Sequence, residues 1–223
     1  PVNSLTITVA AAPGALSING PGVVCKSQTG VIFSVPGGIF NPTSTYNWSS
    51  VAATIVSASS GVGLQTITVD FGLLASADIT LNEVSSSGCS GTPVTLTVSA
   101  ADRPTMTSVS TNTICSGISP TLVFTTAPAV PSTFNWLVTN ITGAVTGTAL
   151  GNVGTGNISE ILSNVSGFSG TVTYRVTPVA IAAPNCTGTP QDVVITVNPA
   201  PVLVTPQTKT ICSGQAAGYE ILL

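Results

Sequence analysis

Three short stretches repeat one pattern of alternating apolar and hydroxyl side chains: Leu5-Thr6-Ile7-Thr8-Val9, Val94-Thr95-Leu96-Thr97-Val98 and Val193-Val194-Ile195-Thr196-Val197. A period of two built from β-branched residues predicts a half-buried strand, with threonine keeping the outer face wet without charge. Each stretch runs into a short Ala- and Pro-containing segment ending at Pro13, Pro104 or Pro201. These read as last strands followed by linkers. Further strands are expected at 15–18, 23–26, 30–35, 44–49, 53–57, 64–71 and 77–84, and again at 105–110, 112–115, 121–126, 133–139, 143–149, 156–163 and 171–179. Gly, Pro, Ser and Asn separate them, and no helical periodicity intervenes. Short strands and tight turns over about 90 residues describe an all-β fold, an antiparallel immunoglobulin-like β-sandwich.

The same landmarks return along the chain. Cys25, Cys115 and Cys212 each open an apolar run, the latter two as Ile-Cys-Ser-Gly. The first two are followed by an aromatic-Asn-Trp triplet, Tyr46-Asn47-Trp48 and Phe134-Asn135-Trp136, and then by a Cys-Ser/Thr-Gly-Thr-Pro box at Cys89 and Cys186. The first cysteines are 90 and 97 residues apart, the tryptophans 88, and the boxes 97. Fixed-period self-similarity marks tandem repeats. We therefore expect residues 13–101 and 102–200 to form two repeats. Residues 1–12 would be the last strand and linker of a preceding one, and residues 201–223 the opening strands of a third, with Ile221 in the place of Phe124.

Composition removes several function classes. Only 5% of the 223 residues are charged, and the net charge is −3. Lys26, Arg103, Arg175 and Lys209 stand apart from one another, so no basic run exists to neutralise a nucleic-acid backbone. The chain is 43% hydrophobic, yet no 18 apolar residues are consecutive, so no membrane-spanning helix is expected. Eleven aromatics scattered among turns and core positions do not make the girdles of a membrane barrel. The chain opens with neither Met nor a signal peptide, and reads as mature, trimmed or a window on something longer.

No histidine is present, and Asp70, Asp78, Glu83, Asp102, Glu160, Asp192 and Glu220 are isolated in sequence. A Ser or Cys nucleophile therefore lacks an evident base, and no calcium or zinc ligand set is spelled out. Metal ligands and cofactors are expected to be none. The span from Asp102 to Pro199 contains no lysine, so Lys-Asn isopeptide cross-links are not a general device here. Gly151-Asn152-Val153-Gly154-Thr155-Gly156 has no helix after it to form a phosphate loop and reads as a turn. Asn47, Asn140, Asn157, Asn164 and Asn185 begin sequons, a frequent accident in a Ser/Thr-rich chain.

Tyr46 and Trp48, like Phe134 and Trp136, share one face of a strand. That face is expected inward, completing a core with Phe33 and Phe124 as a buried tryptophan does in an immunoglobulin-like sandwich. The competing reading is an exposed aromatic pair stacking on sugar. Cysteines at matched positions in a chain without histidine predict disulfides and an oxidising, extracytoplasmic setting. Two connectivities stay open. Pairing within repeats joins Cys25 to Cys89 and Cys115 to Cys186. In an immunoglobulin topology, however, these positions fall at opposite ends of strands about 20 Å long, too far for a disulfide. Pairing across the boundary joins Cys25 to Cys186 and leaves Cys89 and Cys115 reaching toward flanking repeats. Cys212 would pair outside the 223 residues.

Thr113-Ile114-Cys115-Ser116-Gly117, Phe134-Asn135-Trp136, Val172-Thr173-Tyr174-Arg175-Val176-Thr177-Pro178 and Asn185-Cys186-Thr187-Gly188-Thr189-Pro190 resemble PKD-like and immunoglobulin-like tandem repeats. Such repeats occur in very large Bacteroidota surface proteins, including gliding-motility adhesins and type IX secretion cargo. Repeat one is similar to a neighbouring PKD-like subtype through Pro21-Gly22-Val23-Val24-Cys25, Tyr46-Asn47-Trp48 and Thr66-Ile67-Thr68-Val69-Asp70-Phe71-Gly72. The resemblance implies an extracellular, cell-surface or filamentous protein with structural or adhesive work and no catalytic residues. Its partners would be neighbouring repeats of one long chain, or like subunits of a filament, together with a glycan or surface ligand. The alternatives are a glycan- or protein-binding sandwich module, or an accessory domain of a secreted enzyme.

Overall fold

The computed structural model describes residues 5–202, 208, 210–216 and 218. Among them it is all-β, with seventeen strands and no helix. The chain divides into two compact units. The first comprises the described residues of Pro1–Arg103 together with Ala180–Cys186, and the second those of Pro104–Val179 and Thr187–Leu223.

In the first unit the strands are β1 (Val23–Cys25), β2 (Val31–Ser34), β3 (Thr45–Val51), β4 (Ala53–Ile55), β5 (Ser60–Val62), β6 (Thr66–Phe71), β7 (Ser76–Val84) and β8 (Val94–Ala101). They make a five-stranded sheet, β1-β8-β7-β3-β5, and a three-stranded sheet, β2-β6-β4. β7 buries every second residue, Ala77, Ile79, Leu81 and Glu83, as a strand with one face on a core must. Phe33, Tyr46, Ile67, Val69, Ile79, Leu81 and Val98 share that core. Phe33 has room for its ring because Gly20 has no Cβ; one there would overlap the ring.

In the second unit the strands are β9 (Thr105–Met106), β10 (Thr111–Cys115), β11 (Thr126–Ala127), β12 (Ser132–Thr142), β13 (Val145–Thr146), β14 (Val153–Thr155), β15 (Ser163–Asn164), β16 (Gly170–Ala180) and β17 (Gln191–Asn198). The main sheet runs β10-β17-β16-β12-β14, with β11-β9 and β13-β15 as two-stranded pieces. Most neighbours are antiparallel, but the cysteine-bearing strand early in each unit lies parallel to its last, β1 on β8 and β10 on β17.

Several expected strands are absent. Residues 5–9 have no strand partner among the described residues and leave Leu5, Ile7 and Val9 exposed; alternation gives a strand its faces, but only a partner gives it a ladder. Residues 15–18 are irregular, and Asn19 alone bridges to Ser34. Of 121–126 only Thr126 is in a strand. Pro120 and Pro128 flank this segment without N–H groups to donate, and Leu122 and Phe124 are buried without a ladder. Residues 156–163 are likewise mostly irregular, although Ile158 and Leu162 are fully buried. The 151–156 segment is more than a turn: Gly151 and Gly156, both at positive φ, bracket β14, which pairs with β12. The expected opening strands of a third repeat, including Ile221, Lys209 and Glu220, fall largely outside the described residues.

The aromatic core differs between the units. Tyr46 and Trp48 are buried on one face of β3, and Trp48 Nε1 donates to the Leu64 carbonyl at 3.3 Å. Trp136 is buried and meets Tyr174 edge-on with ring centroids 5.4 Å apart. Phe134, expected in the core, is only half-buried, because it sits one pleat nearer the end of β12 and leans on Phe124 at 5.2 Å. Trp136 faces Gly154 in the β12–β14 register, and a Cβ at Gly154 would overlap the indole. We expect Gly154→Ala to destabilise the second unit by about 1–3 kcal/mol through overpacking. Denaturant unfolding followed by near-ultraviolet dichroism checks this; an unchanged midpoint would contradict the packing described.

Candidate functional site

Cys25 closes β1, opposite Ala101 at the end of β8. The Gln28 side chain accepts its N–H at 2.9 Å, and the next N–H, from Lys26, goes to the Ala101 carbonyl at 2.9 Å. Ser27 then turns the chain at positive φ. The Lys26 ammonium meets Asp102 at 2.6 Å, and Arg103 Nε donates to the Lys26 carbonyl at 2.8 Å. Lys26 is thereby fastened to three consecutive residues at the end of the repeat's last strand, Ala101, Asp102 and Arg103. The ion pair is partly exposed and contributes under about 1 kcal/mol; its effect is positional.

Cys186 stands in the tip between β16 and β17. Its carbonyl accepts the Ala180 N–H at 3.0 Å, and Asn185 just before it adopts positive φ, a conformation that asparagine tolerates. The Asn185 amide donates to the Ala180 and Ile181 carbonyls. This tip belongs to the first compact unit, and there Cys186 is bonded to Cys25, with Cα atoms 5.6 Å apart across a sequence separation of 161. Both residues are buried. Loop-closure entropy for so long a loop amounts to about 5 kcal/mol.

Of the two connectivities left open by the sequence, the structure contains the one across the repeat boundary. Pairing within repeats is not formed: Cys89 is a half-buried thiol, and Cys115 and Cys212 are exposed thiols. In each repeat the first cysteine follows the parallel strand to one end, while the box cysteine sits in the last hairpin.

Sequence reasoning missed the seat of the box. Gly188, two residues after Cys186, lies where a Cβ would overlap the Pro104 carbonyl oxygen, and a Cβ at Gly91, two after Cys89, would sit 3.2 Å from Pro13. The repeated Cys-Ser/Thr-Gly-Thr-Pro box was the available signal. Its glycine is small because a linker proline packs on it.

The remaining candidates do not assemble a catalytic or metal centre. Among the described residues no three His, Cys, Asp or Glu side chains come together. Tyr46 and Trp48, at 0% and 4% exposure, offer no platform to a sugar. A hollow of about 420 Å³ lies over β12, β14 and β16, bordered by Leu137, Val153 and Arg175; the guanidinium is already spent on a two-pronged contact with Asp192 at 2.8 and 3.1 Å. That contact holds the Asp192 carboxyl below its usual range. Of the sequon asparagines, Asn164 is buried and donates to the Phe168 and Val197 carbonyls. No helix of the described residues is long and apolar enough to cross a membrane.

Residues 9–98 and residues 112–201 each match a family described as a PKD-like domain. The chain carries two PKD-like domains in tandem. Modules with such folds are typically extracellular and structural or adhesive. No curated protein matches the chain. Among solved structures it is similar to fibronectin(III)-like modules of Clostridium thermocellum CbhA, at 14% identity and a TM-score of 0.38, over 83% of this chain and 95% of that one. It is also similar to domains 4 and 5 of the S-layer protein SbsC (11%, TM-score 0.33, 84% and 100%) and to the D00-D0 domain of intimin (13%, TM-score 0.33, 80% and 99%).

Each of the PKD-like domains buries a tyrosine phenol. Tyr174 Oη donates to Glu160 at 2.7 Å, and Glu160 also accepts from Thr148 and Asn152. Tyr46 Oη accepts the Asn41 N–H at 2.7 Å and lies 3.4 Å from Glu83. Burial, reinforced by these carboxylates, raises both phenols above their ordinary value of 10.0. The folded state thus holds protons that the unfolded state releases. Stability is full below pH 10 and falls as pH rises from there toward each phenol's raised folded value, by at most about 1.4 kcal/mol per pH unit for each. Absorbance at 295 nm should show both tyrosines of the folded protein ionising above the range of a free tyrosine. Reversible titration of both near pH 10 in the folded protein would contradict this.

Proposed function

We propose that this chain is a load-bearing stretch of an extracellular, cell-surface rod or filament, built from tandem PKD-like sandwiches and held by disulfides rather than by metal ions. The observation that carries the reading is the Cys25–Cys186 bond, which joins a cysteine of the first repeat to one of the second. A bond serving one sandwich alone would close inside it. This one takes tension entering at Cys25 directly to Cys186, so the intervening backbone is shielded from force. Hydrogen-bonded β-sheets and a covalent bypass suit a spacer that holds a distal adhesive part away from its anchor.

Support for the finer setting comes from the motif resemblance to giant Bacteroidota adhesins and type IX cargo, and from cysteines that need an oxidising compartment. Neighbouring repeats of the same chain are the natural partners in such an array, and no step of catalysis is assigned to it.

Single-molecule stretching tests the load path. Pulled from its ends, the oxidised chain should reach full extension roughly 560 Å short of the reduced chain, the length of the shielded loop. Cys25→Ser should give the reduced length without reductant. Equal lengths before and after reduction would overturn the reading. Biotinylation of intact producing cells with an impermeant reagent checks the location; protection until lysis would count against a surface role.

A further inference from the structure

The bond at Cys25 and Cys186 fills both halves of a site that the chain contains, half-filled, in two other places. The first half is the cysteine at the end of a repeat's parallel strand. Cys25 lies opposite Ala101, and Cys115 lies opposite Asn198. The residue after each donates its N–H to that same carbonyl at 2.9 Å, Lys26 to Ala101 and Ser116 to Asn198. Ala101 and Asn198 each stand three residues before a linker proline, Pro104 and Pro201. Two residues beyond Cys25, Cys115 and Cys212 the chain turns at positive φ, at Ser27, Gly117 and Gly214. The Gln28 N–H returns to the Cys25 carbonyl at 3.1 Å, as the Gln215 N–H does to Cys212. Cys212 therefore has the local turn of Cys25 and shares with Cys115 the positive φ two residues on.

The second half is the box cysteine in the last hairpin. Cys186 Sγ lies 3.9 Å from the Ala101 carbonyl oxygen. Cys89 Sγ lies 3.5 Å from the carbonyl oxygen of Ala10, which again stands three residues before a linker proline, Pro13. The glycine two residues after each cysteine packs on that proline, Gly188 on Pro104 and Gly91 on Pro13. The carbonyl ahead of a linker is thus approached by the first cysteine of the repeat it ends and by the box cysteine of the repeat that follows. At Ala101 both thiols are present and bonded. At Ala10 only the box cysteine is present, and at Asn198 only the first.

We propose that Cys89 and Cys115 are half-cystines of one continuing register. Cys115 bonds the box cysteine of a following repeat in the same chain, and Cys89 bonds the first cysteine of a preceding one. Cys212 belongs to the same class as Cys115. This rests on the tandem-array reading, and the partner is recognised by chemistry alone: a PKD-like repeat with a thiol in the matching seat. Each bond forms by thiol–disulfide exchange with a disulfide-bearing oxidant, either a small-molecule disulfide or an oxidised dithiol enzyme. One thiolate attacks the oxidant to give a mixed disulfide, and the second displaces it. Two protons and two electrons leave the pair of thiols, and the oxidant departs as two thiols.

The register changes the covalent connectivity of the whole array. The Cys25–Cys186 loop overlaps the loop that begins at Cys115, which overlaps the loop that begins at Cys212. Every cross-section is then spanned by the backbone and at least one disulfide. Pairing within repeats would leave residues 90–114 joined by backbone alone.

Disulfide mapping of the full-length native protein tests this, with iodoacetamide added before unfolding and digestion without reductant. Cys115 should be recovered in a cystine peptide with a Cys-Ser/Thr-Gly-Thr-Pro box from the following repeat. Cys89 should be recovered with a first-class cysteine from the preceding repeat. A single nick between residues 90 and 114 should release no fragment under denaturing, non-reducing conditions and should release two after reduction. Alkylated Cys89 or Cys115, cystines joining Cys25 to Cys89 or Cys115 to Cys186, or links to a separate copy seen as an unreduced mass above one chain, would each overturn the register. Free Cys89 and Cys115 beside an intact Cys25–Cys186 bond would sink the register while leaving the load-bearing reading in place.

Discussion

The parallel pairing of each repeat's first cysteine-bearing strand with its last strand is the constraint from which the cysteine geometry follows. Parallel strands point the same way, so the end of β1 and the end of β8 coincide, as do the ends of β10 and β17. The first cysteine is thereby delivered to the point where the repeat ends and its linker begins. The last hairpin, joining two antiparallel strands, turns at the other end. A bond between the two cysteines of one repeat would have to span the length of a strand, about 20 Å, which no disulfide can do. Covalent closure with a cysteine from elsewhere in the chain is what the topology leaves.

Around that constraint the two sandwiches are built with different economy. The first unit has two continuous sheets and satisfies its tryptophan through the Leu64 carbonyl. The second replaces one sheet with short pairs and irregular segments, and its Trp136 Nε1 is buried without a partner among the described residues. An unpaired buried donor costs about 1–3 kcal/mol. The Tyr174–Glu160 network and the edge-on Trp136–Tyr174 contact stand against that cost. The network adds side-chain ties between the 148–160 segment and the main sheet to the short β12–β14 ladder.

What was legible in the sequence was whatever alternation and recurrence encode. β7, β8, β16 and β17, each eight to eleven residues long, show in their side-chain pattern, and so do the inward faces of Trp48 and Trp136. Strand existence was less legible where burial came without a ladder: Phe124 and Ile158 carry a core pattern in segments with prolines and positive-φ glycines, and Leu162 makes only an isolated bridge to Ile118. At residues 5–9 a strong alternation has no partner strand among the described residues. For the site, the cysteines and the oxidising setting were readable, and topology weakened one of the two connectivities. The packing of Gly188 on the linker was not, because a glycine's small size signals a close neighbour without saying which residue that neighbour is.

The outer faces of the sheets show how so few charges suffice. Cross-strand threonines meet by hydroxyl contacts, Thr80 with Thr95 at 2.8 Å, Thr107 with Thr125 at 3.1 Å and Thr142 with Thr171 at 2.7 Å. Such pairs occupy the positions where other sheets place opposite charges. An exposed ion pair weakens as salt rises and as pH passes the carboxylate's value; a hydroxyl pair does neither. A surface built this way keeps its cross-strand contacts through changes in salt and acidity that a protein outside the cell has no means to buffer. It also leaves few cleavage sites for proteases specific to basic residues, since the chain has only four lysines and arginines in 223 residues. Low charge, unhelpful for naming a ligand, is therefore consistent with disulfides as the main cross-links: both remove dependence on ions, one at the sheet surface and the other between successive sequence repeats.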